Sequence, residues 1–198
     1  LHTQIVVKKS KLNYQHGRIL YCCLRDYLLK NNEINILETG TSKGFSSICM
    51  SKAIKDSGKE GKIFTIDIIP HKRKMYWNGI SDTEGKISRK NLLEPWSDYT
   101  DIINFLHGRT NKIIKTINLE RINFAFLDAA HNLNSVRREF SFVSSKQIKG
   151  DVIVFDDVTK NQFDEVYNFV KTLEQKKIYE IEYINSSPNR AYAVAQKQ

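Results

Sequence analysis

The chain has 198 residues, enough for one domain with a proper core, and 40% hydrophobic content with 9 glycines and 3 prolines excludes a disordered or fibrous polypeptide. No apolar run approaches the roughly 20 residues that a membrane span needs, so no membrane partner is expected. The net charge of +9 invites a nucleic-acid reading, but the basic residues are scattered. Their densest clusters, Lys8-Lys9-Lys11, His71-Lys72-Arg73-Lys74 and Arg137-Arg138, lack interleaved aromatics, so they read as solvated surface, with an anionic substrate as a middle reading. Cys22, Cys23 and Cys49 lack zinc spacing and fall in apolar helical patterns; they read as reduced core residues of a cytoplasmic protein.

Residues 1–14 are basic and weakly patterned. Ile19, Leu20, Cys23, Leu24, Tyr27 and Leu28 then form one helical stripe ending near Asn31-Asn32. This helix, about 16–30, and the segment before it offer a surface for a homodimer contact. The run Ile34 to Leu37 predicts a buried strand over 34–39. Phe45, Ile48, Cys49 and Ile54 predict a helix over 44–57 that stops at Gly58. A second strand, Lys62 to Ile66, closes on Asp67. Residues 68–100 are irregular, with Pro70, Gly79, Gly85 and Pro95 among Met75, Tyr76, Trp77 and Trp96. So long a connection inside a compact domain is usually functional. Its aromatic faces suit a ring, which makes 68–100 the candidate substrate lid.

Strand three runs Ile102 to Leu106, before His107-Gly108-Arg109-Thr110. A short helix with Ile113, Ile114 and Ile117 leads to strand four, Ile122 to Leu127, closed by Asp128. A helix with Val136, Phe140 and Val143 follows. Gly150 precedes strand five, Val152 to Phe155, closed by Asp156-Asp157. The next helix shows Phe163, Val166, Val170 and Leu173 on one face. Tyr179 to Ile184 and Ala191 to Ala195 flank Ser186-Ser187-Pro188-Asn189 and read as a hairpin. Strands separated by helices imply a parallel sheet with right-handed crossovers. The whole chain, 1–198, is therefore expected to be one α/β, Rossmann-like domain. Its sheet should be seven-stranded and mostly parallel, with a C-terminal β-hairpin and helices on both faces.

The turn after the first strand carries the ligand signal. Glu38-Thr39-Gly40-Thr41-Ser42-Lys43-Gly44-Phe45-Ser46 joins a strand end to a helix start. Gly40 and Gly44 let the backbone approach a ligand closely, and the helix start offers N–H groups. The dinucleotide fingerprint G-x-G-x-x-G fails, since Ser42 fills its middle glycine slot. The phosphate loop G-x-x-x-x-G-K-[ST] fails on spacing and on the residue after Gly44. What stands, E-x-G-x-x-x-G-x-S, resembles motif I of class I S-adenosylmethionine-dependent methyltransferases. It looks most like the catechol O-methyltransferase-like branch and its small bacterial relatives, sugar O-methyltransferases included. The resemblance covers nearly the whole chain, apart from 1–14 and 68–100. It implies that Glu38, Thr39, Gly40, Thr41, Gly44 and Ser46 hold the methionine end of S-adenosylmethionine.

Ligands of open α/β sheets bind beyond the C-terminal strand ends. Those ends here carry Glu38, Asp67, His107, Asp128 and Asp156-Asp157. Asp67 can accept both ribose hydroxyls, which matches the family's ribose position. Gly108 sits where the family passes backbone close to the adenine, with Arg109 and Thr110 beside it. Asp128 is expected both as a cofactor contact and as a catalytic residue. Asp128, Asp156 and Asp157, converging from neighbouring strand ends, repel one another; Mg²⁺ or another divalent cation would neutralise them. In metal-dependent members of the family the matching positions carry Asp, Asp and Asn. Asp157 departs from that and is similar to the sugar-modifying branch. His131, in Asp-Ala-Ala-His, falls where the bacterial families show D-G-x-H. A neutral imidazole beside the acceptor hydroxyl could take its proton. His107 and His16 are weaker candidates.

These readings converge on metal-assisted O-methylation of a small hydroxylated acceptor, a sugar or catechol-like diol. Transfer is an in-line displacement and needs no covalent enzyme intermediate. Two alternatives stand beside it: a metal-independent methyltransferase acting on nitrogen or RNA, and a non-catalytic S-adenosylmethionine-binding module. An NAD-dependent oxidoreductase is more distant.

Overall fold

A computed structural model describes residues 14–77, 82–83, 85–129, 132–187 and 189–198. The candidate base His131, the loop residues Gly79 and Pro188, and residues 1–13 lie outside the described residues. In chain order the helices are α1 (Gln15–Lys30), α2 (Phe45–Asp56), α3 (Arg89–Leu92), α4 (Ser97–Thr100), α5 (Thr110–Ile113), α6 (Leu133–Ser145) and α7 (Asp164–Gln175). The strands are β1 (Glu33–Thr39), β2 (Glu60–Asp67), β3 (Ile103–His107), β4 (Phe124–Leu127), β5 (Val152–Phe155), β6 (Tyr179–Ser187) and β7 (Arg190–Lys197). They form one seven-stranded sheet in the order β3-β2-β1-β4-β5-β7-β6. The pairs β2/β3, β1/β4 and β4/β5 are parallel; β5/β7 and β6/β7 are antiparallel. This is the Rossmann-like methyltransferase fold with its terminal hairpin, as the spacing of elements implies. Among the described residues, no helix is long and apolar enough to cross a membrane.

The chain divides into two compact units, Leu1–Ile34 with Thr41–Arg109 and Asn35–Gly40 with Thr110–Gln198. In the first, α1 buries Leu20, Leu24 and Leu28, one residue per turn on one face. That face packs on α2. Gly17 permits the close approach, since a Cβ there would stand 2.6 Å from Cys49 Sγ. The cysteines depart from the core expectation: Cys22 is exposed, while Cys23 and Cys49 are half-buried. Cys22 falls off the apolar stripe that Cys23 follows.

The segment 68–100 is more ordered than its composition suggests. Met75 and Ile87 form an isolated antiparallel bridge, and the Ser88 side chain caps α3 by accepting from Asn91 N. Trp77 is fully buried, and its Nε1 donates to Ile87 O at 2.8 Å. It is therefore an anchor of this segment rather than an aromatic face offered to a ring. Tyr76 is 52% exposed, and Trp96 is half-buried.

In the second unit every residue of β4 and β5 is buried. Strands covered on both faces read as continuous apolar runs, which is why FAFL and VIVF show no alternation. β4 starts at Phe124, later than the apolar run, and Asn123 before it pairs through its side chain as well as its backbone. Its Oδ1 accepts from Asn35 N at 2.9 Å, and its N donates to Asn35 O at 3.0 Å. Helix α7 buries Val166, Val170 and Leu173, a stripe worth roughly 1.5–3 kcal/mol per side chain. Phe140 of α6 meets Phe155, Phe169 and Tyr179 with ring centroids 6.3, 5.3 and 5.6 Å away.

Candidate active site

The strand order reverses between β1 and β4, and open α/β sheets bind ligands at such a reversal. At the end of β1 the chain turns through Gly40 at φ 92°. A Cβ on Gly40 would lie 2.2 Å from Asp128 O and 2.7 Å from the Asp128 carbonyl carbon. Asp128 N donates to Thr39 O at 3.0 Å, which fixes that approach. Only glycine fits, on both conformational and steric grounds. Glu38 is fully buried just before the turn. Thr39 Oγ1 donates to Glu139 Oε2 at 2.9 Å, so its hydroxyl is committed to the protein. The sequence reading missed Glu139. Its signal was an acid next to Phe140 and three residues after Val136, on the buried stripe of α6.

In the first unit, Thr41 Oγ1 and Thr65 Oγ1 lie 2.5 Å apart, both buried. Gly44, at φ 89°, caps α2; a Cβ there would meet Leu93 Cδ1 at 2.9 Å. Ser46 is buried in the first turn of that helix. Ser42 is the strained residue, with φ 49° and no glycine to relieve it. Its peptide groups are held from both sides. Ser42 N donates to Asp67 Oδ2 at 2.6 Å, and Arg89 Nε donates to Ser42 O at 2.6 Å. Arg89 is 1% exposed and pairs with Asp67 at 3.1 Å.

Asp67 also accepts from Ile69 N at 2.7 Å. A carboxylate has about four lone-pair sites; two backbone N–H groups donate to this one, and Arg89 stands beside it as an ion-pair partner. Acceptor capacity therefore remains for the two ribose hydroxyls expected there. Gly108 N donates to Asp67 O at 2.8 Å, so Gly108 does stand beside this strand end, at φ 145°. Arg109 and His107 are exposed, whereas His16 is buried on α1 against Phe45. The sequence reading also passed over Lys43, which is 2% exposed within the turn. Burial lowers its pKa to about 8, against the opposing pull of the Asp82 charge.

Asp128, Asp156 and Asp157 do come together, and they line a small cavity with Leu127, Ala129, Val136, Glu139 and Val166. Burial holds the Asp128 carboxyl well above the usual range; the Asp156 charge and a hydrogen bond to Asp156 raise it further. Asp156 is 4% exposed, and Asp157 is held at φ 54°. A residue outside every sequence expectation completes the cluster. Arg190, the first residue of β7, donates from Nη2 to Asp156 Oδ2, and its Nε lies 3.9 Å from Asp157 Oδ1. Burial works against the Arg190 charge, but Asp156, Tyr192 and Asp157 hold its guanidinium protonated above the ordinary arginine range.

Asp128 and Asp156 offer carboxylate oxygens of the kind Mg²⁺ takes, but a protein cation already stands among these acids. The ion needs near-octahedral oxygens at about 2.0–2.1 Å. The Arg190 guanidinium already contacts Asp156 and stands 3.9 Å from Asp157. A doubly charged ion about 4 Å from that cation would be repelled by roughly 8 kcal/mol at an effective dielectric near 20.

The family model of a methyltransferase domain matches residues 37–158. No curated protein matches the chain in sequence. Among solved structures it is similar to TomG, an O-methyltransferase of Streptomyces achromogenes involved in tomaymycin synthesis and solved with S-adenosylmethionine. That match has 19% identity over 98% of this chain and 82% of the other, with a TM-score of 0.68. It is similar to an O-methyltransferase of Bacillus cereus solved with S-adenosylhomocysteine, at 16% identity over 96% and 84%, TM-score 0.66. An rRNA methylase of Streptococcus thermophilus shares the fold at 10% identity over 87% and 93%, TM-score 0.60.

Proposed function

The chain belongs to this methyltransferase family and is an S-adenosylmethionine-dependent methyltransferase, and we propose that its acceptor is a hydroxyl on a small molecule such as a sugar or catechol-like diol. The Gly40 turn carries this reading. It is a backbone cradle that any side chain would fill, set at the reversal of strand order, in a motif of the right spacing. S-adenosylmethionine, when bound, supplies a methyl group on a positively charged sulfur that leaves as a neutral thioether.

The chain's own residues position the partners. Glu38 and the turn Thr39, Gly40, Thr41, Gly44 and Ser46 are assigned to the methionine end. The hydroxyls of Thr39 and Thr41 serve the turn itself. Asp67 is assigned the two ribose hydroxyls, and Gly108 with Arg109 the adenine side. Asp128 is assigned the orientation of the acceptor hydroxyl, through a carboxyl that burial holds well above the usual range. His131 is assigned the general base from its motif alone. Holding the acceptor oxygen roughly 3 Å from the methyl carbon is the main catalytic contribution expected of such a site.

A hydroxyl acceptor is supported by the O-methyltransferases among the similar structures, whose TM-scores exceed that of the rRNA methylase. The cluster at Asp128 argues against assistance by Mg²⁺ in this chain. Cytoplasmic location and a homodimer through α1, where Leu29 is 77% exposed, complete the proposal. The test is calorimetric titration with S-adenosylmethionine and S-adenosylhomocysteine, with NAD as control, followed by methyl transfer to hydroxylated acceptors. Binding of the sulfur cofactors and not of NAD is expected. No binding would remove the cofactor assignment. Binding with transfer only to RNA or amines would remove the acceptor.

A further inference from the structure

We infer that Arg190 is a built-in counter-cation, occupying the place a divalent metal would take beside Asp156 and Asp157. Three observations carry this. The guanidinium contacts Asp156 directly and stands 3.9 Å from Asp157 through a second nitrogen, so one cation meets two carboxylates. Asp156 is 4% exposed, and a buried carboxylate needs a fixed partner. Arg190 is itself held in place: its guanidinium carbon lies 5.8 Å from the Tyr192 ring centre, and its carbonyl accepts from Ser186 Oγ at 3.2 Å.

The local backbone is shaped to deliver it. The β6/β7 ladder shifts register between Asn185 and Ser187, pairing Ser187 with Arg190. Val158 N donates to Ala191 O at 2.9 Å, tying the segment after the aspartates to the residue after the arginine. Arg190 thus acts through Asp156 and Asp157 as a positioning residue. A planar, permanently charged fork suits two carboxylates, and it demands no dehydration of a metal ion.

The inference deepens the proposed activity by making it metal-independent, but its test reads metal binding directly. Mn²⁺ is titrated into the protein and followed by the electron-spin signal of the free aqua ion. Wild type is expected to show no site tighter than about 1 mM. Arg190→Gln, checked for folding by circular dichroism, removes that cation from both carboxylates and is expected to bind one Mn²⁺ at least tenfold more tightly. Arg190→Lys keeps the charge and should remain without Mn²⁺. Wild-type binding of one equivalent below about 1 mM, lost in Asp156→Asn, would overturn the inference, and so would no gain in a folded Arg190→Gln. If Arg190→Gln does not fold, the wild-type titration with its Asp156→Asn control decides alone. Calorimetry of S-adenosylhomocysteine with and without EDTA runs alongside. Absent cofactor binding defeats the proposed function and leaves the Mn²⁺ result standing, while EDTA-sensitive binding defeats the inference.

Discussion

Replacing Arg89 with methionine tests how the strained turn is held. Arg89 donates from Nε to Ser42 O at 2.6 Å and from Nη1 to Ile69 O at 3.3 Å, and it pairs with Asp67 at 3.1 Å. Its guanidinium carbon lies 5.7 Å from the Trp77 ring centre. Methionine refills much of the stem volume, so the cavity cost is small. The larger cost is an Asp67 carboxylate only 8% exposed that loses its cation. Removing one member of a buried pair costs about 3–5 kcal/mol. Ser42 N and Ile69 N still donate to Asp67, which places this change near about 3 kcal/mol. For a chain this long that lowers Tm by roughly 6–12 °C. Adding Asp67→Asn removes the uncompensated charge, so the double variant should recover about 1–3 kcal/mol relative to additivity. Ser42 should relax from φ 49°, and S-adenosylhomocysteine affinity should fall about tenfold, or roughly 1.4 kcal/mol. Urea unfolding of the four-member cycle, with calorimetry on each member, measures both effects. A loss under about 1 kcal/mol, or strict additivity, would refute the clamp. Unchanged affinity in the destabilised single variant would separate the clamp from the cofactor site.

Gly40→Val should lose cofactor binding altogether, because even a Cβ meets Asp128 O at 2.2 Å; calorimetry that finds retained affinity would remove the cradle. His71 tests the acid side of stability. It stacks on Phe105 with centroids 4.0 Å apart, and burial, then the charges of Arg89, Lys90 and Lys72, lower its pKa from 6.5 to about 4. The unfolded chain protonates first, so this contribution is intact above pH 6.5 and is lost as pH falls from there toward 4. The ring is partly solvated, which reduces the full linkage of roughly 3 kcal/mol to about 1 kcal/mol. His71→Phe should flatten the urea midpoint across that window, and an unchanged slope would discount His71. His131→Ala should slow methyl transfer with little change in S-adenosylhomocysteine affinity; an unchanged rate means that it is no base.

Much of the fold was legible because its signals are local. FAFL and VIVF announce buried strands by composition, and the βα punctuation announces a parallel sheet. The glycine turn was legible for the same reason, since its chemistry sits within nine consecutive residues. The segment 68–100 was not. Its order comes from Trp77 bonding Ile87, Arg89 reaching Ser42, and Met75 bridging Ile87. No periodicity records such contacts. A tryptophan that anchors a loop and one that offers a face to a substrate look identical in sequence. Asp67 shows the same limit: its position at a strand end is local, but its two donors and its ion-pair partner come from residues 42, 69 and 89.

The aspartate cluster shows how one premise can admit two different cations. Like charges at neighbouring strand ends do demand neutralisation. Strand ends advertise their acids, because each acid directly follows its own apolar run. The neutralising group need not be so advertised. Arg190 opens the last strand, 34 residues from Asp156 along the chain, beside a turn that reads only as hairpin punctuation. Only the antiparallel insertion of β7 beside β5, pairing Ala193 with Phe155, brings it back to the acids. The fold that creates the electrostatic problem therefore also delivers its answer, and the two are joined by topology rather than by any motif. A metal-site reading drawn from acids at strand ends should accordingly count the cations that the antiparallel strand returns to those ends before a metal is assigned.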